Sequence, residues 1–237
     1  MTDSVRAAIA ASPLAVALDA PDVGTAAGWA AEVASHVSTL KLGLEFYVAA
    51  GASGVLHVRT AAPECLLFLD LKLHDIPNTV AGACRAVADL RPDFLTVHAL
   101  GGPAMVRAAA EALPGTHVTA VTILTSMSAG DLRAVGLGGT PLDAVLRLAE
   151  MAVSAGAGAL VCSPQEVAAV RTAVGPGVVL ITPGVRPAGA ALGDQQRVAT
   201  PRQALADGAD LLVVGRPITG APDRAAAAAQ LLSEGVG

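Results

Sequence analysis

Three charged side chains lie close together in an otherwise apolar stretch of the chain: Asp70, Lys72 and Asp75. The run that ends at Asp70 has the composition of a buried strand, and alternate residues of a strand point to the same side of a sheet. Asp70 and Lys72 are therefore expected to form an ion pair at the end of this strand. Carboxylates beside a lysine favour its protonated form, which suits a proton donor and not a Schiff-base nucleophile. We predict that Lys72 acts as an acid.

Asp75 belongs to the same group but stands in the short segment before Pro77, which is expected to open a helix. This position brings a second carboxylate near the Lys72 ammonium, or near the ammonium of a neighbouring subunit. A structural salt-bridge network is the alternative for all three residues. A buried ion network adds little net stability compared with apolar packing, so a network at the functional end of a strand favours a catalytic role.

A second group of residues has the chemistry of a phosphate site. Gly215 and Arg216 follow an apolar run, where a glycine permits close approach and the start of a helix supplies backbone N–H donors beside a guanidinium. Pro183 and Arg186 follow an earlier strand, and the guanidinium fork matches phosphate oxygens. In a barrel both segments would face one corner. The alternative is that either arginine only caps or crosses the barrel rim.

Five further residues are weaker candidates when each is taken alone. Asp19 and Lys41 stand near the ends of the first two predicted strands, where a carboxylate and an ammonium suit the hydroxyl groups of a ribose. Thr125 and Ser126 follow the fifth predicted strand and could bind an amide-like heterocycle. Gln195 stands in a long connection, where it could cover a ligand. The histidines show no metal-ligand spacing, and we predict no metal site.

The elements that must position these residues alternate along the chain. Short runs rich in Val, Leu, Ile and Thr are separated by Ala-rich segments with helical spacing, which is typical of parallel sheets. The pattern predicts eight strands, at residues 14–18, 39–42, 66–71, 94–97, 117–124, 159–162, 178–181 and 211–214. It predicts eight helices, at residues 23–36, 43–50 with some extension, 79–90, 103–113, 141–155, 164–173, 201–206 and 217–232. We predict an α/β fold, a (β/α)8 TIM barrel, with an open doubly wound sheet as the alternative.

Two long connections stand out, at residues 125–140 and 183–200. Long loops after the strands of a compact α/β domain often bind or cover a ligand. We therefore predict that residues 183–200, beside the phosphate group, form a lid that closes over phosphate. Because no linker or low-complexity tail divides the chain, residues 1–237 are predicted to form a single domain.

The composition limits the function classes. The chain is 53% hydrophobic and 15% charged, but its longest uncharged stretch, residues 112–130, is interrupted by Pro114 and His117 and is too polar to span a membrane. Asp3 and Pro13 argue against a secretion signal in the apolar start. Three scattered cysteines suit buried thiols in a reducing cytoplasm. A net charge of −5 with one Trp and one Tyr offers nucleic acid neither a basic surface nor stacking partners.

The segment at residues 70–79, Asp-Leu-Lys-Leu-His-Asp-Ile-Pro-Asn-Thr, resembles the signature of the orotidine 5'-phosphate decarboxylase family of the bacterial type. The resemblance continues, in the same order along the chain, at residues 18–19, 41–43, 124–127, 182–186 and 214–217. Related barrels that act on sugar phosphates share the Asp-x-Lys-x-x-Asp core. The Ile-Pro-Asn-Thr continuation is typical of the decarboxylases.

The resemblance implies a homodimer that converts orotidine 5'-monophosphate to UMP and carbon dioxide in pyrimidine biosynthesis, without metal or organic cofactor. It implies that Lys72 protonates C6 of the pyrimidine and that Asp70 lies against the substrate carboxylate. Asp75 and Thr79 would reach the active site of the partner subunit. The other substrate-binding residues that the resemblance implies are Asp19, Lys41, Thr125, Ser126, Pro183, Arg186, Gln195, Gly215 and Arg216.

Two other hypotheses remain open at this point. The first is a metal-dependent sugar-phosphate lyase or decarboxylase of the same barrel group, in which the carboxylates would serve a divalent metal. A metal requirement would identify it. The second is a nucleotide-binding barrel without catalytic activity, and the presence of Lys72 argues against it.

Overall fold

Eight parallel strands form a closed barrel in which each strand pairs with the next and the last pairs with the first. The computed structural model describes residues 3–186 and 199–236. The strands are β1 Leu14–Ala17, β2 Thr39–Gly43, β3 Leu66–Leu73, β4 Phe94–His98, β5 His117–Val121, β6 Ala159–Val161, β7 Val179–Pro183 and β8 Leu211–Val214. Pairing of Leu14 with Leu212 closes the sheet. The predicted (β/α)8 barrel is thus confirmed, and the open doubly wound alternative is wrong.

Helices follow the strands and cover the outside of the barrel. Those in the described ranges are α1 Asp3–Ala11, α2 Val23–Val33, α3 Leu44–Ala61, α4 Pro77–Ala86, α5 Gly102–Ala112, α6 Ala129–Ala134, α7 Pro141–Ser154, α8 Val167–Val174, α9 Pro201–Ala206, α10 Arg216–Thr219 and α11 Arg224–Val236. Several begin as their residues predict. Proline stands in the first turn of α4, α5, α7, α9 and α10, where its missing N–H costs no helix hydrogen bond.

The apolar residues of the strands divide between two cores because successive side chains point to opposite faces of the sheet. Outward residues such as Leu95 and Val97 are fully buried against the helices. Inward residues fill the barrel itself, where the rings of Phe68 and Phe94 meet edge to face at 5.8 Å. Most members of this inner core are small or branched and stand at or near the start of their strands: Ala15, Ala159, Val179, Ile181 and Leu211.

Helix α1 closes the end of the barrel at which the strands begin. Val5 and Ile9 are four residues apart, so they lie on one helix face, and both are buried against the inner core. The apolar start was considered above only as a secretion signal, and this helix was not predicted. Pro13 accounts for the boundary, since the residue before a proline disfavours helical backbone and α1 ends at Ala11.

Other boundaries also differ from the prediction. The fifth strand ends at Val121 and not at residue 124, and the connection after it contains α6, which begins with a capping box made by Ser128 and Asp131. The last predicted helix, 217–232, is divided into α10 and α11. Within the described residues, no helix is long and apolar enough to cross a membrane.

The packing of α1 predicts that Ile9→Ala lowers the free energy of unfolding by about 2 kcal/mol, because it removes buried methyl and methylene groups and leaves a cavity. Urea unfolding measures this change. Ala10→Ser, at an exposed position of the same helix, is the control and is expected to change stability much less. Equal stability of Ile9→Ala and the wild type would show that α1 contributes nothing to closing the barrel.

Candidate active site

A cavity of about 460 Å³ opens among the carboxyl ends of the strands. This volume is in the range of pockets that hold a small organic ligand. Charged residues near the ends of β1, β2 and β3 and after β7 and β8 line it. Apolar side chains from five strands and from the segment after β5 line it as well: Ala17, Phe68, Val121, Ile123, Leu124, Val161 and Val213. The cavity therefore combines an apolar surface with a few placed charges.

Asp70 connects the charged residues of this cavity. Its Oδ1 accepts a hydrogen bond from the Lys72 ammonium at 2.7 Å, and its Oδ2 lies 3.4 Å from the Lys41 ammonium. Lys41 also lies 3.6 Å from Oδ1 of Asp19. The side chains of Asp70 and Lys41 are only 14% and 11% exposed, whereas that of Lys72 is 35% exposed and borders the cavity. Charges thus alternate in sign from Asp19 to Lys72, and Lys72 carries the more exposed of the two ammonium groups.

Strand pairing sets these distances. Lys41 is paired with Ala17 of β1, and Asp70 is paired with Gly43 of β2, so the charged residues come from adjacent strands at similar heights in the barrel. Gly43 leaves room for the network: a Cβ at this position would lie 3.2 Å from Oδ1 of Asp19 and 3.4 Å from the Lys41 nitrogen. A larger residue here would have to push the Asp19 and Lys41 pair apart.

Lys72 reaches the cavity by an irregular backbone, and not by the simple strand alternation on which the prediction was based. The pairing of β3 with β4 shifts between Leu69 and Leu73, and Lys72 has φ of 49°, in the left-handed region that side chains with a Cβ seldom adopt. Its backbone N–H donates to the hydroxyl of Thr96 at 2.8 Å. The expected ion pair with Asp70 is present, but a bulge in β3 creates its geometry.

The predicted phosphate residues Pro183, Arg186, Gly215 and Arg216 all line the same cavity, together with Gly184. Arg186 is joined to the opposite end of its loop by a backbone hydrogen bond of 3.0 Å to Ala199. The helix that starts at Arg216 is four residues long, so its dipole is smaller than the long helix predicted above would supply. The prediction of a phosphate site here therefore rests on the two guanidinium groups and the backbone N–H groups more than on a helix dipole.

Three predicted residues, Ser126, Asp75 and Thr79, do not line this cavity. Thr125 lines the cavity, but its neighbour Ser126 is exposed and is not part of the lining. Asp75 and Thr79 are exposed as well, and Asp75 accepts a hydrogen bond from the backbone N–H of Ile76 at 2.6 Å. Asp75 was predicted to lie near the ammonium of its own Lys72 or near that of a neighbouring subunit. The described contacts include none between Asp75 and Lys72 of the same chain. Gln195 lies outside the described residues, as do residues 187–198 of the predicted lid.

Sequence reasoning missed the apolar lining and Thr96. Phe68, Val161 and Val213 each lie two residues from another inward side chain of the same strand. The strand period of two could therefore have identified them once the register was known. Thr96 is fully buried on β4 and donates to Oδ1 of Asp70 at 3.0 Å. No charge or motif marks it in the sequence.

Burial by itself raises the pKa of Asp70, but the charges of Lys41 and Lys72 and the hydrogen bonds from Lys72 and Thr96 outweigh burial. Together they hold the pKa of Asp70 below its usual range. The carboxylate is therefore ionised at neutral pH, and it can keep both ammonium groups in place. Among the described residues, no three His, Cys, Asp or Glu side chains are grouped so that they could hold a metal ion.

Known proteins match this chain over most of its length. It is 68% identical to an orotidine 5'-phosphate decarboxylase from Thermobifida fusca over 224 residues, which cover 94% of this chain and 96% of the relative. It is 56% identical to an enzyme of the same name from Frankia casuarinae, over 92% of this chain and 85% of the relative. A model of the family described as Orotidine 5'-phosphate decarboxylase / HUMPS family matches residues 12–231. The chain belongs to this family.

Solved structures agree with the family assignment. An orotidine 5'-phosphate decarboxylase from Lactobacillus acidophilus is 35% identical and superimposes with a TM-score of 0.82, covering 95% of this chain and all of that one. An uncharacterised conserved protein from Geobacillus kaustophilus gives the same TM-score at 31% identity. The resemblance to the orotidine 5'-phosphate decarboxylase family that the segment at 70–79 indicated is thereby confirmed.

In this member of the family, the lowered pKa of Asp70 has a consequence for acid stability. Ionised Asp70 stabilises the folded state fully above the pKa of an unfolded aspartate, about 4, and this contribution is lost as the pH falls through the lower folded pKa. Lys41→Met removes one of the charges that lower the pKa. We expect Lys41→Met to be less stable than the wild type at neutral pH and to lose less stability as the pH falls, because its folded Asp70 takes up a proton at higher pH.

Urea unfolding between pH 3 and pH 7 measures how the free energy of unfolding of each variant changes with pH. Arg107→Met removes a cation from an exposed position on α5 and is the matched control, for which the shape of the pH profile is expected to stay unchanged. Parallel profiles for Lys41→Met and the wild type would contradict the coupling between Lys41 and Asp70.

Proposed function

We propose that this protein converts orotidine 5'-monophosphate into UMP and carbon dioxide, with Lys72 as the proton donor to C6 of the pyrimidine. The observation that carries the proposal is the Lys72 ammonium, held 2.7 Å from Asp70 on the wall of a cavity that Arg186 and Arg216 also line. The substrate has a carboxylate on its ring and a phosphate on its ribose. The cavity offers cations for both groups, and the relatives named as decarboxylases agree in function.

The proposed step breaks the bond between C6 and the carboxylate, which leaves as carbon dioxide while its electron pair remains on C6. A proton from the Lys72 ammonium goes to C6, and the resulting neutral amine regains a proton from water. A fixed positive charge beside C6 stabilises the negative charge that develops there, because it is oriented before the reaction begins. In this proposal Asp70 faces the leaving carboxylate, and departure of carbon dioxide removes a contact between like charges.

The remaining lining residues bind the parts of the substrate that do not react. Arg186, Arg216 and the backbone at Gly215 take the phosphate, and Asp19 and Lys41 take the ribose hydroxyl groups. Thr125 contacts the pyrimidine beside the apolar wall. Binding energy from the phosphate can hold the ring in the reactive orientation, so these residues contribute to the rate without touching C6.

Lys72 supplies both the positive charge and the proton, so the proposed reaction needs no metal and no organic cofactor. The direct test is the loss of orotidine 5'-monophosphate, followed by ultraviolet absorbance, in enzyme that has been treated exhaustively with a chelator. We expect full activity in the chelator. Activity that returns only with added magnesium would favour the metal-dependent sugar-phosphate lyase group instead.

The same assay tests the role of Lys72. We expect Lys72→Ala to lower kcat by at least about 1,000-fold, because the proton donor and the adjacent charge are lost together. Affinity for UMP, measured by calorimetry, should remain detectable. Lys72→Arg is the matched variant, since arginine keeps the positive charge but does not release a proton at neutral pH. Near-normal turnover in either variant would exclude Lys72 as the donor.

We propose further that the protein is a homodimer whose active sites are shared. Residues 74–79 are all exposed in the single chain, and Ile76 within this segment is 66% exposed. Ile76 lies in a shallow groove with Leu100, itself 39% exposed. Apolar side chains exposed side by side are typical of an interface. A second copy of the chain covering this groove would bring Asp75 and Thr79 towards the cavity of its partner.

Shared sites predict that two inactive variants recover activity when they are mixed. A heterodimer of Lys72→Ala and Asp75→Asn contains one site with both native residues and one site with neither. After complete subunit exchange, we expect about a quarter of the wild-type activity, since half of the dimers are mixed and each has one intact site. Mass spectrometry of the intact dimers confirms the exchange, and confirmed exchange without recovery would rule out shared sites.

A cytoplasmic location is part of the proposal and is supported by the thiols. Cys65, Cys84 and Cys162 are buried and unpaired. Burial raises the pKa of Cys65 and of Cys84 to about 11 and that of Cys162 to about 12. Such thiols suit a reducing compartment and are not nucleophiles at neutral pH.

A further inference from the structure

The hydroxyl of Thr96 is placed between the two residues on which the proposed reaction depends. It accepts a hydrogen bond from the backbone N–H of Lys72 at 2.8 Å and donates one to Oδ1 of Asp70 at 3.0 Å. The same Oδ1 accepts the Lys72 ammonium at 2.7 Å. A closed ring of hydrogen bonds therefore runs from the Lys72 backbone through Thr96 and Asp70 to the Lys72 side chain.

The bulge in β3 explains why a hydroxyl is needed at this position. Leu69 is paired with Leu95 and Leu73 with Val97, so four steps along β3 match two steps along β4. The extra residues lose their regular strand partners, and a buried N–H without a partner costs about 1–3 kcal/mol. Thr96 supplies the missing acceptor for Lys72 and so stabilises a backbone conformation, φ of 49°, that a lysine rarely adopts.

The direction of the two hydrogen bonds is determined. The Lys72 backbone N–H can only donate, so the Thr96 oxygen accepts from it, and the single hydroxyl proton is left for Asp70. That proton goes to the same oxygen that receives the Lys72 ammonium. The Thr96 side chain is fully buried on β4. Its single hydroxyl therefore orients both Oδ1 of Asp70 and the backbone from which the Lys72 side chain starts.

We propose that Thr96 is a positioning residue for decarboxylation, which fixes the left-handed backbone of Lys72 and the orientation of Asp70 so that the ammonium is aimed into the cavity. This inference rests on the proposed function, because it assigns Thr96 a part in the same reaction. Thr96 does not line the cavity, so it acts through Lys72 and Asp70 and not by touching the substrate.

Two other buried threonines of the barrel satisfy their hydroxyl groups in a different way. Thr119 is paired with Thr96 on the neighbouring strand β5 and is also fully buried, but its hydroxyl donates to the carbonyl of His117 on its own strand at 2.9 Å. Thr122 donates to the carbonyl of Val161 at 3.0 Å. Both hydrogen bonds go to backbone carbonyls, whereas Thr96 contacts a catalytic carboxylate. Thr119 is therefore a matched control.

The experiment compares Thr96→Val, Thr96→Ser and Thr119→Val in the decarboxylation assay. We expect Thr96→Val to lower kcat by about 10- to 100-fold with KM changed by less than about 3-fold, because a small displacement of a reacting group is costly while the phosphate contacts are intact. Thr96→Ser restores the hydroxyl and should keep kcat within about 3-fold of the wild type, as should Thr119→Val. Thermal unfolding checks that each variant is folded, and Thr96→Cys replaces Thr96→Val if the latter does not fold.

A second readout does not depend on activity. The chain has two lysines, Lys41 and Lys72, so enzyme labelled with 13C-lysine gives two sets of side-chain signals. We expect the Lys72 signals to shift in Thr96→Val and to stay in place in Thr119→Val.

Three results would overturn the inference: a kcat of Thr96→Val within about 3-fold of the wild type, an equal loss in Thr119→Val, or a loss in Thr96→Ser as large as in Thr96→Val. Wild-type enzyme without activity on orotidine 5'-monophosphate would refute the proposed function. In that case unchanged Lys72 signals in Thr96→Val would refute the positioning role as well, and shifted signals would support it.

Discussion

The carboxylate of Asp70 holds two ammonium groups in one small, largely buried space, and the geometry of the active site depends on this contact. Two lysines side by side would repel each other, and a carboxylate taken out of water would be costly without cations. Each charge is therefore stabilised by its neighbour, in the order Asp19, Lys41, Asp70 and Lys72. Compared with apolar packing, such a network adds little net stability. It places the Lys72 ammonium at the wall of the cavity.

The barrel can hold this network because its two ends have different compositions. Near the start of the strands, the interior is packed with apolar side chains and closed by Val5 and Ile9 of α1. Near the end of the strands, the inward positions become charged at Lys41, Asp70 and Lys72. Apolar burial at one end stabilises the fold, which permits charged residues that add little to stability at the other end.

The sequence predicts the barrel and most of the cavity because buried parallel strands give continuous apolar runs and the charged residues interrupt them at the strand ends. It does not predict the bulge in β3, because a register shift depends on the neighbouring strand. Thr96 is missed for the same reason: a lone threonine in an apolar run is ordinary until its partner across the ladder is known. Helix α1 is missed because Val5 and Ile9 precede an apolar strand without a break in composition. Asp75 and Thr79 do not line the cavity of the single chain, and no pattern within one chain can specify contacts with a second subunit.

The scarcity of lysine in this chain has a practical consequence. Lys41 and Lys72 are the only lysines, and both belong to the charged network of the cavity, while every other permanently cationic side chain is an arginine. Reagents that acylate amines, such as activated esters, therefore find few targets besides the amino terminus and the two lysines of the cavity. Apart from the amino terminus, random amine coupling to a dye, a resin or a sensor surface would report on access to this cavity. The three cysteines are buried, so attachment at a thiol also requires an introduced residue.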